Sequence, residues 1–204
     1  MNTDGVRFIA FPDELHDETL EVYFNRLRQI FADMDQKYDK ATAYYGFQCR
    51  GCEDNCCLTR FHHHTFLEFF FIRDGFSKLK PSEQIKIRDK AEAVRRRSIQ
   101  AEKKETAVRL MCPLNEAGRC RLYSYRPMIC RLHGIPHELH KPGRPVSHGP
   151  GCGAFVEQCS GRPYYIFDRT PIYFEMAGLE NEFKQAIELT GRIKLTIAEM
   201  ILGI

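Results

Sequence analysis

Apolar and polar positions alternate along the chain with a helical rhythm at both ends and lose that rhythm in the middle. Leu20, Phe24, Leu27, Phe31, Met34 and Tyr38 recur four and three apart, which lines one face of a helix over 20–38 and leaves charges opposite. Asp17 stands where an N-cap is expected. Thr65 to Asp74 predicts a short aromatic helix ending at Gly75, and a longer one begins at Pro81-Ser82 and runs to about Val108. The stripe of that third segment (Ile87, Ala91, Val94, Ser98, Ala101, Val108) is thin, so it is expected to lie partly exposed. The last segment starts at Thr170-Pro171, an N-cap followed by a good first helical residue, and carries Leu179, Phe183, Ala186, Ile193, Ile197, Met200 and Ile204, with Gly178 and Gly191 as points of kinking or breaking. Packing of this segment on the first is the expected route to a core.

Between these segments the pattern gives way to turn residues, notably Lys141-Pro142-Gly143-Arg144-Pro145 and Gly149-Pro150-Gly151-Cys152-Gly153. A short strand or two is expected at most, near Tyr164–Phe167. The predicted fold class is therefore mainly α, with irregular cysteine-rich loops stapled by metal onto a frame of about four helices and few or no strands. The chain of 204 residues is read as one domain, 1–204, with a cysteine-cluster region over 47–155.

Composition narrows the class. The hydrophobic fraction of 43% and charged fraction of 28% are those of an ordinary globular protein, and a net charge of +3 selects no partner. Met1-Asn2-Thr3-Asp4-Gly5 lacks the basic start and apolar run of a secretory signal, and Phe69-Phe70-Phe71-Ile72 is far too short to span a bilayer. The expected location is the cytoplasm, without membrane association, where thiols stay reduced.

In that setting nine cysteines read as metal ligands rather than a disulfide framework. They fall in groups: Cys49, Cys52, Cys56 and Cys57, then Cys112, Cys120 and Cys130, then Cys152 and Cys159. A two-residue spacer lets both thiolates of a pair converge on one ion. The vicinal pair Cys56-Cys57 is expected to diverge and to serve two neighbouring ions or two irons of one cluster, with a strained vicinal disulfide as the alternative. Cys49, Cys52, Cys56, Cys57, Cys112, Cys120, Cys130 and Cys152 make eight thiolates, enough for two tetrahedral sites or one iron–sulfur cluster plus one zinc. Cys159 is then spare, unless it exchanges roles with Cys49. Arg50, Arg60, Arg119, Arg121, Arg126 and Arg131 lie within a few residues of cysteines and would offset thiolate charge.

The two principal blocks resemble the YkgJ-type cysteine-cluster family. Cys49, Cys52, Cys56 and Cys57 match its first block, and Cys112-Pro113-Leu114, Cys120, Leu122-Tyr123, Arg126-Pro127 and Cys130-Arg131 match its second. Three residues, Glu53-Asp54-Asn55, stand before the vicinal pair where the family often has two. The resemblance implies chelation of zinc or iron and says little about activity.

Other features are ambiguous in function. Of His62-His63-His64, only one can face an ion on a helix, as ligand or outer-sphere donor, the rest being solvent-facing or packed. His133, His137, His140 and His148 follow Cys130, and Pro136 argues against a helix that would align the first two. Residues 80–109 hold ten Lys or Arg against five Asp or Glu, including Arg95-Arg96-Arg97, which suits either a solvated face or nucleic-acid phosphates. Phosphate-cradling loops, serine elbows and zinc-protease helices are absent. Three functions remain: a metal-binding protein holding zinc or iron, an iron–sulfur redox or modifying enzyme, and a zinc-stapled module binding nucleic acid or protein.

Overall fold

The computed structural model describes residues 17–49 and 56–203. Residues 1–16, Arg50, Cys52, Glu53-Asp54-Asn55 and Ile204 lie outside that range. Helix α1, Asp17–Tyr45, carries the predicted stripe and extends it through Ala41 and Tyr45. Asp17 lies within the helix rather than capping it. Helix α2, Phe66–Ser77, is capped by Thr65 and has nine of its twelve residues buried, Glu68 among them. It is apolar nearly all round because it runs between other elements. Phe71 meets Phe24 at 5.2 Å and Phe31 at 5.9 Å, and Phe70 meets Phe183 at 5.7 Å.

Gly75 does not end α2. It sits inside the helix because the Tyr125 ring lies where a Cβ would be, 2.5–2.8 Å away. Helix α3, Pro81–Lys103, stops short of Val108. Glu105 adopts φ 51°, and the amides of Glu105 and Thr106 bond back to Glu102 and Ala101 carbonyls, closing the end in a Schellman motif. Its outer face is solvated, with ion pairs from Glu102 to Arg60 and from Glu83 to Arg121.

The C-terminal segment is two helices. After α4, Met128–Arg131, and α5, Gly153–Cys159, helix α6 covers Thr170–Ala186 and α7 covers Ile197–Leu202. Gly178 leaves α6 unbroken. A second Schellman closure ends it, with Glu188 at φ 52° and Leu189 N–H on the Lys184 carbonyl. Arg169, not Thr170, occupies the N-cap position of α6. As expected, α6 packs on α1, where Tyr23 and Phe183 meet edge-to-face at 5.2 Å. Helix α7 opens with a Thr196–Glu199 capping box and lies along α3, burying Ala198 and Ile201 with Ile87 and Ala91.

Two small hairpins complete the fold, which is mainly α with few strands. Strands β1, Asn115–Glu116, and β2, Arg119–Cys120, pair antiparallel, as do β3, His137–Leu139, and β4, Ser147–Gly149. The Lys141–Pro145 stretch is therefore the loop of a hairpin, and no strand forms over Tyr164–Phe167; the next residue, Asp168, makes an isolated bridge to Glu138. Pro150–Cys152 link β4 directly to α5. Core side chains form two clusters, with α2 contributing to both and Tyr125 and Ile197 touching both.

Candidate metal centre

Three separate chain segments bring five thiols to one cavity of about 80 Å³, bordered by Cys56, Cys57, Cys112, Cys120 and Cys130. Residues 56–58 form a turn, so the vicinal side chains do not diverge as an extended or helical backbone would require. Both thiols border the cavity, and Cys56 hydrogen-bonds to Cys57. The Cys57 carbonyl accepts from the Cys112 amide at 2.7 Å, which ties the first cysteine segment to the second.

The second segment is shaped by the β1–β2 hairpin. Ala117 and Gly118 both take positive φ, 50° and 82°, the geometry of a tight turn whose twist matches the strands. This turn returns the chain so that Cys120 pairs with Asn115, close to Cys112. Each thiol then receives a backbone N–H two residues on, Cys112 from Leu114 and Cys120 from Leu122. Amide donors on sulfur favour the thiolate and fix its direction, a common feature around bound metal.

The third thiol segment is α4. Pro127 precedes it in an extended conformation, and the Met128 amide donates to the buried Glu68 carboxylate at 2.7 Å. Cys130 is thereby presented from a helix anchored on α2. Thr196, Ile197 and Ala198 of the α7 end, with Val94 and Ser98 of α3 and Ile72 of α2, close the largely apolar remainder of the wall.

Apolar walls make charge costly. Burial pushes Cys112 up to about 12 and raises Cys120 and Cys130 as well, Cys130 well above the usual thiol range. Cys57 moves the other way, to about 6, because Cys56 and then Asn115 hydrogen-bond to its sulfur and Arg126 lies nearby; Cys56, the donor of that pair, is raised. A cation would reverse this logic by displacing thiol protons. Among the described residues, no three Cys, His, Asp or Glu side chains already stand as a closed ligand set.

The remaining predicted ligands lie elsewhere. Cys49 is exposed and Cys152 buried; neither borders the cavity, though both act electrostatically on the Tyr38 hydroxyl, which burial chiefly raises. Cys152 donates its amide to the Gly134 carbonyl at 3.0 Å. Cys159 sits in the core with its sulfur on the Tyr45 carbonyl at 3.7 Å, and Cys52 is outside the described residues. No disulfide joins two described cysteines, Cys56 and Cys57 included.

The arginines divide too. Arg60 and Arg126 border the cavity. Arg131 instead turns to Asp35 at 2.6 Å and to the Phe31 ring at 4.2 Å, while Arg121 pairs with Glu83 and Glu116. None of His133, His137, His140 and His148 reaches the cavity. His140 pairs with Glu138 at 3.0 Å, and His133 packs on Phe61.

His63 does reach it. Residues 61–65 run without helix, and His63 forms a bridge with Leu195, so its neighbours His62 and His64 point away from the direction it takes. His63 is 2% exposed, and its Nε2 has no hydrogen-bond partner among the described residues. Burial lowers its pKa to about 4, so the ring is neutral with a lone pair available. Sequence offered three equivalent histidines; their alternation in an extended segment was the signal that singles out the middle one. An orphaned buried nitrogen and five thiols bordering one cavity are donor types suited to zinc or iron.

These features define a class: a mainly helical protein with a thiol-lined cavity whose donors suit a soft or borderline cation. Residues 48–144 match the family model CxxCxxCC, described as "Putative zinc- or iron-chelating domain", consistent with a resemblance to a YkgJ-type cysteine cluster. The match spans just under half of the 204 residues. No curated protein and no solved structure matches the chain. Among the described residues, no helix is long and apolar enough to cross a membrane. Helices α1, α6 and α7 fall outside the matched segment, although the α7 end supplies part of the cavity wall.

Proposed function

We propose that this is a cytoplasmic metal-binding protein, one domain over 1–204, that holds zinc or iron through clustered thiolates. The observation that carries the reading is the convergence of Cys56, Cys57, Cys112, Cys120 and Cys130 from three segments on one cavity. Cys49, Cys52 and Cys152 complete the proposed ligand set. The ion staples loops with little regular pairing of their own to α2, α3 and α7. Structural zinc contributes on the order of 10–16 kcal/mol of apparent binding energy to folding in small domains.

The test is metal content of anaerobically purified protein, with thermal melts before and after a strong chelator. Bound zinc or iron and a melt lowered by chelation support the reading. Metal-free protein that refuses added zinc and iron, or chelated protein with an unchanged melt, sinks the structural role.

A second reading is an iron–sulfur centre in a redox or modifying enzyme. Five thiols exceed what one tetrahedral ion needs, and the vicinal pair faces a single cavity. Acid-labile sulfide and sulfur-to-iron charge-transfer absorption would select this reading; colourless protein with stoichiometric zinc would eliminate it.

A further inference from the structure

We propose that His63 ligates the metal of the thiol cavity through Nε2, making the centre a mixed thiolate–imidazole site. This inference rests on the metal reading above and deepens it. Three independent observations meet at this residue. Its side chain borders the same cavity as Cys56, Cys57, Cys112, Cys120 and Cys130. Its Nε2 is enclosed and lacks a hydrogen-bond partner among the described residues, whereas buried polar atoms in native proteins are overwhelmingly paired.

The third observation is rigidity. The His63 amide donates to the Leu195 carbonyl at 2.7 Å, and the Leu195 amide donates back at 3.0 Å. Two residues further on, Thr65 caps α2, and one residue beyond Leu195, Thr196 caps α7. The imidazole is therefore held between two helix starts, as a ligand delivered by fixed backbone should be. A neutral imidazole beside thiolates is a normal zinc donor set, and in iron–sulfur centres histidine can replace cysteine on one iron.

Cobalt(II) is the probe, added anaerobically to reduced, metal-free full-length protein. Its ligand-field bands report how many sulfurs and nitrogens surround it. Wild type should give a tetrahedral envelope of mixed sulfur and nitrogen character. His63→Gln should change that envelope and weaken cobalt binding at least about tenfold. His63→Cys should restore binding with stronger sulfur-to-cobalt charge transfer.

An unchanged envelope in both variants, whatever happens to affinity, overturns ligation by His63 and leaves the thiolate centre standing. Wild type that binds no cobalt removes the metal reading itself. Should the variants not fold, wild type labelled with ¹⁵N-histidine decides the matter under zinc titration. One of the eight imidazoles should then show a zinc-dependent ¹⁵N shift of Nε2 coordination. Eight imidazoles whose Nε2 shifts all stay unchanged while zinc binds overturn the assignment.

Discussion

The Met128 amide donates to the Glu68 carboxylate at 2.7 Å, joining the most buried helix of the protein to the short helix that presents Cys130. The other Glu68 oxygen accepts from the Thr65 hydroxyl at 2.5 Å, so one carboxylate ties the cap of α2 to the start of α4. Glu68→Ala leaves a buried N–H unpaired, at a cost of about 1–3 kcal/mol. Urea denaturation should show that loss, and metal stoichiometry should fall with it. Glu68→Gln keeps an acceptor for Met128 and should retain more of both. Equal losses in the two variants would count against this coupling.

Gly75→Ala sets two effects against each other. Alanine is favoured over glycine within a helix by about 1 kcal/mol. Here, however, the new Cβ meets the near edge of the Tyr125 ring at 2.5–2.8 Å, and that ring packs at 4.7 Å on Phe71. Overpacking of this kind costs about 1–3 kcal/mol. The variant should therefore melt below wild type, and a raised melting temperature would show that Tyr125 moves aside freely.

The helical frame was legible in the sequence because its signal is local. Phe24, Leu27, Phe31 and Met34 write a stripe that needs no tertiary context, and the same holds for the α6 stripe that meets it. The ends were less legible. Glu105 and Glu188 close α3 and α6 in left-handed conformations usually given to glycine, so no residue type announced the stops. Five of the eight cysteines named from spacing border one cavity, but spacing did not separate them from the other three. Cys152 shares a sequence region with the cluster yet lies in the aromatic core near Phe155, a consequence of α5 packing on Tyr45. His63 was hidden among three histidines because an exposed and a buried imidazole look alike until the backbone is known to be extended.

His137 gives the protein an acid-sensitive element away from the thiols. Burial first, and then the Arg169 charge, lower its pKa to about 4 from the ordinary 6.5. A depressed histidine pKa means that the unfolded chain takes up the proton first. Stability is full above about pH 6.5 and falls as pH drops toward 4. Urea midpoints measured from pH 7.5 to 4.5 should fall more steeply for wild type than for His137→Gln. Parallel curves would show that His137 protonates equally in both states.

Arg126 is the charge whose removal should be felt by the metal. It borders the cavity, its guanidinium lies 3.7 Å over the Tyr123 ring, and its Nε donates to the Tyr123 carbonyl at 3.2 Å. Its field lowers the pKa of Cys56, Cys57, Cys120 and Cys130, opposing the burial that keeps most of them protonated. Metal must displace those protons, so Arg126→Leu should weaken zinc binding by about 10–100-fold at neutral pH. Cys57, lowered to about 6, adds a contribution to the gap between wild type and variant that changes with pH over the assay range. Losing the charge raises that value, so the gap between wild type and variant should be widest below neutrality and narrow as pH rises. Arg126→Lys should recover part of the affinity, since it restores the charge but not the planar contact with Tyr123. Competition against a chromogenic chelator at several pH values reads both effects. A gap that stays constant with pH, with no recovery by lysine, would mean that Arg126 shapes the wall rather than tuning its thiols.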